Sequence, residues 1–123
     1  MNSGPLRGLR VIDISAVLAG PNCARYLADF GADVIKVERP DGGDSLRNLA
    51  WRDPRDGEGL WWKVVNRNKR TIALDLKSEA DLDVLRGLVG DADVLVDITE
   101  AEVTASAKDA ADNEFDTTWC QIY

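Results

Sequence analysis

The chain has 123 residues, with 15 Lys and Arg against 22 Asp and Glu, no His, a formal charge of −7 and a hydrophobic fraction of 45%. That length allows one core and at most one domain, and the acidic balance argues against a nucleic-acid partner, whose phosphates select a basic face. Without His there is no Ser-His-Asp triad, no Cys-His pair and no His-ligated metal site, so any chemistry rests on carboxylates, Lys, Cys, Tyr or backbone amides.

No stretch approaches the ~20 apolar residues of a membrane span. The opening Met1-Asn2-Ser3-Gly4-Pro5 lacks the basic-then-apolar layout of a secretory leader. A cytoplasmic location with no membrane partner is expected. Cys23 and Cys120 stand far apart, the usage of a reducing compartment, so both are expected as thiols and Cys23 as a small buried hydrophobe.

Residues 9–15 (LRVIDIS) are a short β-branched run, predicted as a strand, and a loop then leads to a helix that starts around Gly20-Pro21 and stops at Gly31. Cys23, Leu27 and Phe30, with Ala24 and Ala28 beside them, recur at three- and four-residue spacing and are expected to face a sheet. Residues 33–38 (DVIKVE) give the second strand, broken by the turn chemistry of RPDGGD. From there to about residue 59 the sequence is loop-like, and its DPRDGEG run is long for a connection inside a compact domain, hence functional or mobile. Asp53, Asp56 and Glu58 in that run lack EF-hand spacing and are expected to face solvent.

Residues 60–65 (LWWKVV) restore apolar density as a short helix, and 71–76 read as a third strand. Ser78 opens a capped helix whose stripe of Leu82, Leu85, Leu88 and Val89 runs up to Gly90. Residues 94–96 are the fourth strand. Capping-box spacing between Thr99 and Glu102 predicts an Ala-rich acidic helix over about 100–112, and 119–123 read as a fifth strand.

Strands alternating with helices imply right-handed crossovers and an α/β fold: a doubly wound, mostly parallel sheet covered on both faces. Ligands of such sheets bind beyond the carboxyl ends of the strands, which nominates residues 15–20, 38–44, 74–77 and the stretch after Asp97. The loop before the first helix favours an anion through its backbone N–H groups. Only Gly20 of a G-x-G-x-x-G fingerprint is present there, which disfavours NAD although Glu38 stands where a ribose-binding acid would. Arg39 is a candidate phosphate fork. The NRNKR run at 66–70 is the one local concentration of positive charge and reads either as a solvated turn or as an attractor of anions. Trp61 and Trp62 read as core or interface anchors, with a substrate channel as the alternative.

The segments PLRGLRVIDIS, AGPNCARYLADFGADVIKVERP, GGDSLR, NRNKRTIALDLK and ADVLVD follow in this order from Pro5 to Asp97. Together they resemble the N-terminal part of the class III CoA-transferases, the family of formyl-CoA transferase, carnitine-CoA transferase and alpha-methylacyl-CoA racemase. The resemblance implies that residues 1–123 are a Rossmann-like CoA-binding segment, a truncated part of the family's large domain. It implies coenzyme A or an acyl-CoA as substrate, with no covalently bound cofactor and no metal, a carboxylic acid as acceptor, and a homodimer of interlocked chains.

The implied chemistry is nucleophilic carboxylate catalysis: an Asp attacks the thioester, gives a mixed anhydride and then an aspartyl-CoA thioester, and CoA passes to the acceptor. That Asp is expected beyond Tyr123, so no catalytic residue is assigned in this chain, which is expected to be a truncated product or fragment, inactive alone. Carried over by motif, Leu18 and Ala19 are expected to contact CoA, Arg39 to bind its nucleotide end, and Leu74, Asp75, Leu76 and Lys77 to line the adenine side. The sequence departs from the family after Asp97, where Ile98-Thr99-Glu100-Ala101-Glu102 replaces an N-F-R-P-G-like turn and puts acid in place of a cation. The alternative reading is a non-catalytic subunit or interaction module of the same fold that pairs through the surface around Trp61 and Trp62. An ordinary nucleotide-binding Rossmann domain is third, weakened by the missing glycines.

Overall fold

Two β-branched runs form the centre of the sheet. In the computed structural model, which describes residues 3–99, 102–108 and 114–115, strand β1 (Arg10–Asp13) pairs in parallel with β2 (Asp33–Glu38), placing Val11 beside Val34 and Asp13 beside Lys36. β2 pairs in parallel with β3 (Arg70–Ala73), and β1 with β4 (Val94–Thr99). The sheet order is β3-β2-β1-β4, extended by β5 (Glu102–Lys108) and β6 (Glu114–Phe115), both antiparallel to their neighbours.

Helices α1 (Ala19–Asp29), α2 (Leu60–Val65) and α3 (Glu79–Gly90) occupy the crossovers. The chain steps from β1 to β2 to β3 and then returns past them to β4, so right-handed connections put α1 and α3 on opposite faces. The core follows the two-residue period of the strands. Val11, Val34 and Val96 pack with Ala24 and Ala28 of α1, while Ile12, Val37 and Leu74 pack with Leu85, Leu88 and Val89 of α3. This is the doubly wound, mostly parallel architecture that the sequence predicts.

Several local expectations are corrected. The buried stripe of α1 is Gly20, Pro21, Ala24 and Ala28, whereas Cys23 and Phe30 are exposed. Small side chains let α1 sit close to the sheet, and that rotates the helix away from the larger residues. Ser78 holds the N-cap position of α3 without a side-chain cap, and the acids Glu79 and Asp81 of the first turn suit the helix dipole instead.

The long 39–59 connection contains a 3₁₀ turn at Ser45–Asn48 and closes on Asp53, which is buried rather than solvent-facing. Its carboxylate accepts from Arg55 and from Lys63, and its backbone N–H and C=O bond to Glu58 and Gly57. The helix expected over 100–112 gives way, where described, to β5. Val103 and Thr104 are β-branched, and pairing with β4 satisfies backbone groups that its edge would otherwise expose. The strand expected at 119–123 lies outside the described residues.

On the α1 face, the strand ends carry charge instead of hydrocarbon. Asp13 and Lys36 are register partners with fully buried side chains, their charged atoms 4.0 Å apart. Lys36 Nζ lies 3.0 Å from the Asp44 carboxylate and donates to the Ser15 carbonyl. Lys69 Nζ, also buried, donates to Asp13 (2.9 Å), to the Pro21 carbonyl (2.6 Å) and to Asn66 Oδ1 (2.8 Å). Burial pushes the Lys69 ammonium below its ordinary value, and Asp13 opposes that shift. Breaking a buried pair by removing one partner leaves an uncompensated charge, so Asp13→Ala is expected to cost about 3–5 kcal/mol of unfolding free energy. Exposed Asp91→Ala is expected to stay within about 0.5 kcal/mol of the parent. Urea denaturation measures both, and equal midpoints for the two variants would contradict a stabilising network.

Candidate functional site

At the carboxyl ends of β1, β2 and β3 lies a cleft of about 410 Å³, within the usual size range of small-ligand sites. One wall is Ile14, Ser15 and Ala16, leading from β1 to α1; the other is Gly43, Asp44 and Ser45; Leu74 and Leu76 close the β3 side. Arg39, Leu74 and Leu76 continue into an adjoining hollow of about 490 Å³ that Asp75 and Lys77 also line. Most of the lining is apolar, and the exposed cations at its margin are Arg39 and Lys77.

The two loops of the cleft are fastened by acids. Both oxygens of Asp44 accept from the Val17 N–H, at 3.1 and 3.2 Å, and Oδ1 also caps Leu46 N–H. Val17 has φ +66°, a left-handed conformation that costs a β-branched residue roughly 1–2 kcal/mol. Asp13 accepts from both the backbone N–H and the hydroxyl of Ser15.

Glu38 accepts from Asp44 N–H and, through both oxygens, from the Arg47 guanidinium, which also stacks on Trp62 with its carbon 3.7 Å from the ring centroid. Burial raises the Glu38 pKa, yet the Arg47 and Asp44 hydrogen bonds outweigh it and hold the group below the usual glutamate range. Gly43 has φ +71°, and a Cβ there would lie 2.2 Å from Glu38 Oε2, so the corner requires glycine.

Of the residues nominated by sequence, Arg39, Leu74, Asp75, Leu76 and Lys77 come together around the adjoining hollow. The Arg39 side chain is 68% exposed and is held by the Gly43 carbonyl (3.3 Å) and Asp41 (3.8 Å). Leu18 and Ala19 sit at the N-cap and first turn of α1, exposed and beyond the residues that line the cleft. The 66–70 cluster is not a magnet for anions. Arg67 and Asn68 bind Asp29, Lys69 is buried on Asp13, and Arg70 pairs with Asp33. Glu38 is likewise committed to Arg47 and Asp44 and leaves no oxygen free of a partner for a ribose. Sequence reasoning missed Lys36 and named Asp44 only as the end of the 38–44 stretch; the alternation of DVIKVE places Lys36 on the same face as buried Val34, and that is the available signal.

A second groove of about 420 Å³ runs between α3 and the start of β4, lined by Leu82, Leu85, Val89 and Leu95. It lies at the amino end of the strand, the opposite side of the sheet from the one where such folds bind ligands.

The strand order and the carboxyl-end cleft define an α/β protein of the doubly wound class. Its family is then fixed by comparison: the chain belongs to CoA-transferase family III, whose model matches residues 6–110. It is 48% identical over 100 residues to succinate–glutarate CoA-transferase of Agrobacterium fabrum, covering 76% of this chain and 24% of that protein. It is 44% identical over 95 residues to formyl-CoA:oxalate CoA-transferase of Escherichia coli O6:H1, covering 77% and 23%. The crystal structure of a CAIB/BAIF family protein from Brucella suis matches with a TM-score of 0.71 at 37% identity, covering 79% of this chain and 26% of that one. The chain spans about a quarter of the length of the curated relatives it matches. Among the described residues, no helix is long and apolar enough to cross a membrane and no acidic or Cys cluster has the arrangement of a metal site.

The depressed Glu38 pKa sets a pH dependence. Its folded value lies below the unfolded one, so its contribution to stability is present above about pH 4.5 and is lost as pH falls through the folded value. Glu38→Gln is expected to lower the urea midpoint at pH 7, by a margin that narrows as pH falls below about 4.5. A midpoint difference that stays constant as pH falls would show that the charge of Glu38 does not contribute.

Proposed function

We propose that this chain is the CoA-binding N-terminal portion of an acyl-CoA:carboxylate CoA-transferase, and that it performs no transfer alone. The observation that carries the reading is the carboxyl-end cleft, apolar in its walls and margined by Arg39 and Lys77 in a chain of net charge −7. Apolar walls suit the pantetheine arm and the adenine face, and the two exposed cations suit the phosphates. In this reading Arg39 grips the nucleotide end, Leu74, Asp75, Leu76 and Lys77 line the adenine side, and Leu18 and Ala19 contact the coenzyme from the start of α1. Asp13, Glu38 and Asp44 near the cleft are unsuited to act as nucleophiles, because each is bound to a cation and to N–H donors. The natural assembly in this reading is a cytoplasmic homodimer.

Isothermal titration with coenzyme A is expected to show binding by the parent chain and an affinity about tenfold lower for Arg39→Ala, the scale of one charge-assisted hydrogen bond. Equal affinities would remove Arg39 from the site. Incubation with an acyl-CoA and a carboxylate acceptor is expected to give no turnover, and turnover that persists through purification would overturn the inactivity.

The second reading, a non-catalytic subunit, is favoured by the exposure of Trp51 (72%) and Trp61 (41%). Absence of CoA binding together with co-purification of a partner subunit would select it.

A further inference from the structure

Nothing in the family assignment or in the nucleotide-end contacts accounts for why Val17 holds a conformation that β-branched residues avoid. Its φ of +66° lies within the turn from β1 to α1, and its side chain is half exposed, so no apolar packing forces it there. What does hold it is polar. The Val17 N–H points at both oxygens of Asp44, which is buried and sits across the cleft mouth on the loop after β2. Lys36 Nζ binds that same carboxylate at 3.0 Å and reaches the Ser15 carbonyl at 3.0 Å, so one buried ion pair grips the loop on both sides of Ala16. Ser15 and Ala16 form one wall of the cleft and Asp44 belongs to the other.

We propose that Lys36 and Asp44 are positioning residues: the pair clamps Val17 in its left-handed conformation and thereby sets the shape of the β1–α1 loop against which the coenzyme is bound. This rests on the coenzyme A reading of the cleft. Released from the clamp, Val17 reverts to an extended or helical φ. The wall at Ser15 and Ala16 turns, and the first N–H groups of α1 turn with it. Both residues also line the cleft, but their side chains are buried and spent on each other and on the loop, so each acts through the loop's shape.

The test separates the loop's conformation from its side chains. In the full chain, Val17→Pro forbids positive φ and Val17→Gly accepts it freely. Coenzyme A affinity by calorimetry is expected to fall at least tenfold more for Val17→Pro than for Val17→Gly. Asp44→Asn is expected to cost about tenfold alone, and less than threefold when introduced into the Val17→Gly variant, because glycine no longer needs the clamp. In parallel, amide hydrogen exchange is expected to show Val17 N–H protected in the parent and at least a hundredfold faster in Asp44→Asn. Equal losses for proline and glycine, an Asp44→Asn effect that is the same in both backgrounds, or an unprotected Val17 amide in the parent would each overturn the clamp. Should Asp44→Asn fail to fold, the proline and glycine comparison decides by itself. A protected Val17 amide in a parent chain that takes up no coenzyme A would overturn the reading of the cleft while leaving the clamp standing.

Discussion

The architecture of the site depends on four buried charges, Asp13, Lys36, Asp44 and Lys69, at the carboxyl end of the two central strands. Their register makes the arrangement unavoidable: Asp13 and Lys36 face each other across adjacent parallel strands, on the side where α1 packs. Taking such charges out of water costs several kcal/mol per ion, offset only when each is paired and its remaining hydrogen-bonding capacity is filled. Filling it is what ties the structure together. Ser15 and Val17 of the first loop, Pro21 of α1 and Asn66 after α2 all bind the network, through N–H, carbonyl or side-chain atoms. Three connections that a hydrophobic contact would leave free to slide are thereby fixed relative to one another.

In the coenzyme A reading of the cleft, this constraint also accounts for how an acidic chain could present a site suited to a polyanion. Most cations of the described part are spent on internal acids: Lys36 and Lys69 inside the network, Arg47 on Glu38, Lys63 on Asp53, Arg67 on Asp29 and Arg70 on Asp33. The neutralised interior leaves Arg39 and Lys77 at the margin of a largely apolar cleft. Long-range attraction contributes little here, so recognition has to rest on short-range fit and on a few directed donors.

The sheet and its order were legible because strand and helix periods are written plainly in LRVIDIS, DVIKVE and the leucine stripe of α3. The topology then pointed to the strand ends, and the family motifs selected Arg39 and residues 74–77 among them, which the fold brings together. Three kinds of feature were hidden. Residue type gives no measure of burial, so the interior positions of Lys36 and Lys69 are not readable from it, and the two lie 23 and 56 positions from their shared partner Asp13 in the chain. Asp53 looked solvent-facing because its role comes from a loop that closes on it. On α1, Ala24, Leu27 and Ala28 pack on the sheet as expected, whereas Cys23 and Phe30 do not, because close approach to a sheet favours the smaller side chains over the more hydrophobic ones. At 102–108, alanine content and a capping-box spacing were outweighed by the unpaired edge of β4.

Whether the buried network shapes a coenzyme site at the carboxyl ends of β1, β2 and β3 is decided by titrating the ¹⁵N-labelled chain with coenzyme A and following every backbone amide. Shifts are expected to concentrate at residues 15–19, 39–45 and 74–77, with the amides of Asp13 and Lys36 moving with them. Shifts confined to the groove between α3 and β4, or no shift at saturating coenzyme, would contradict such a site.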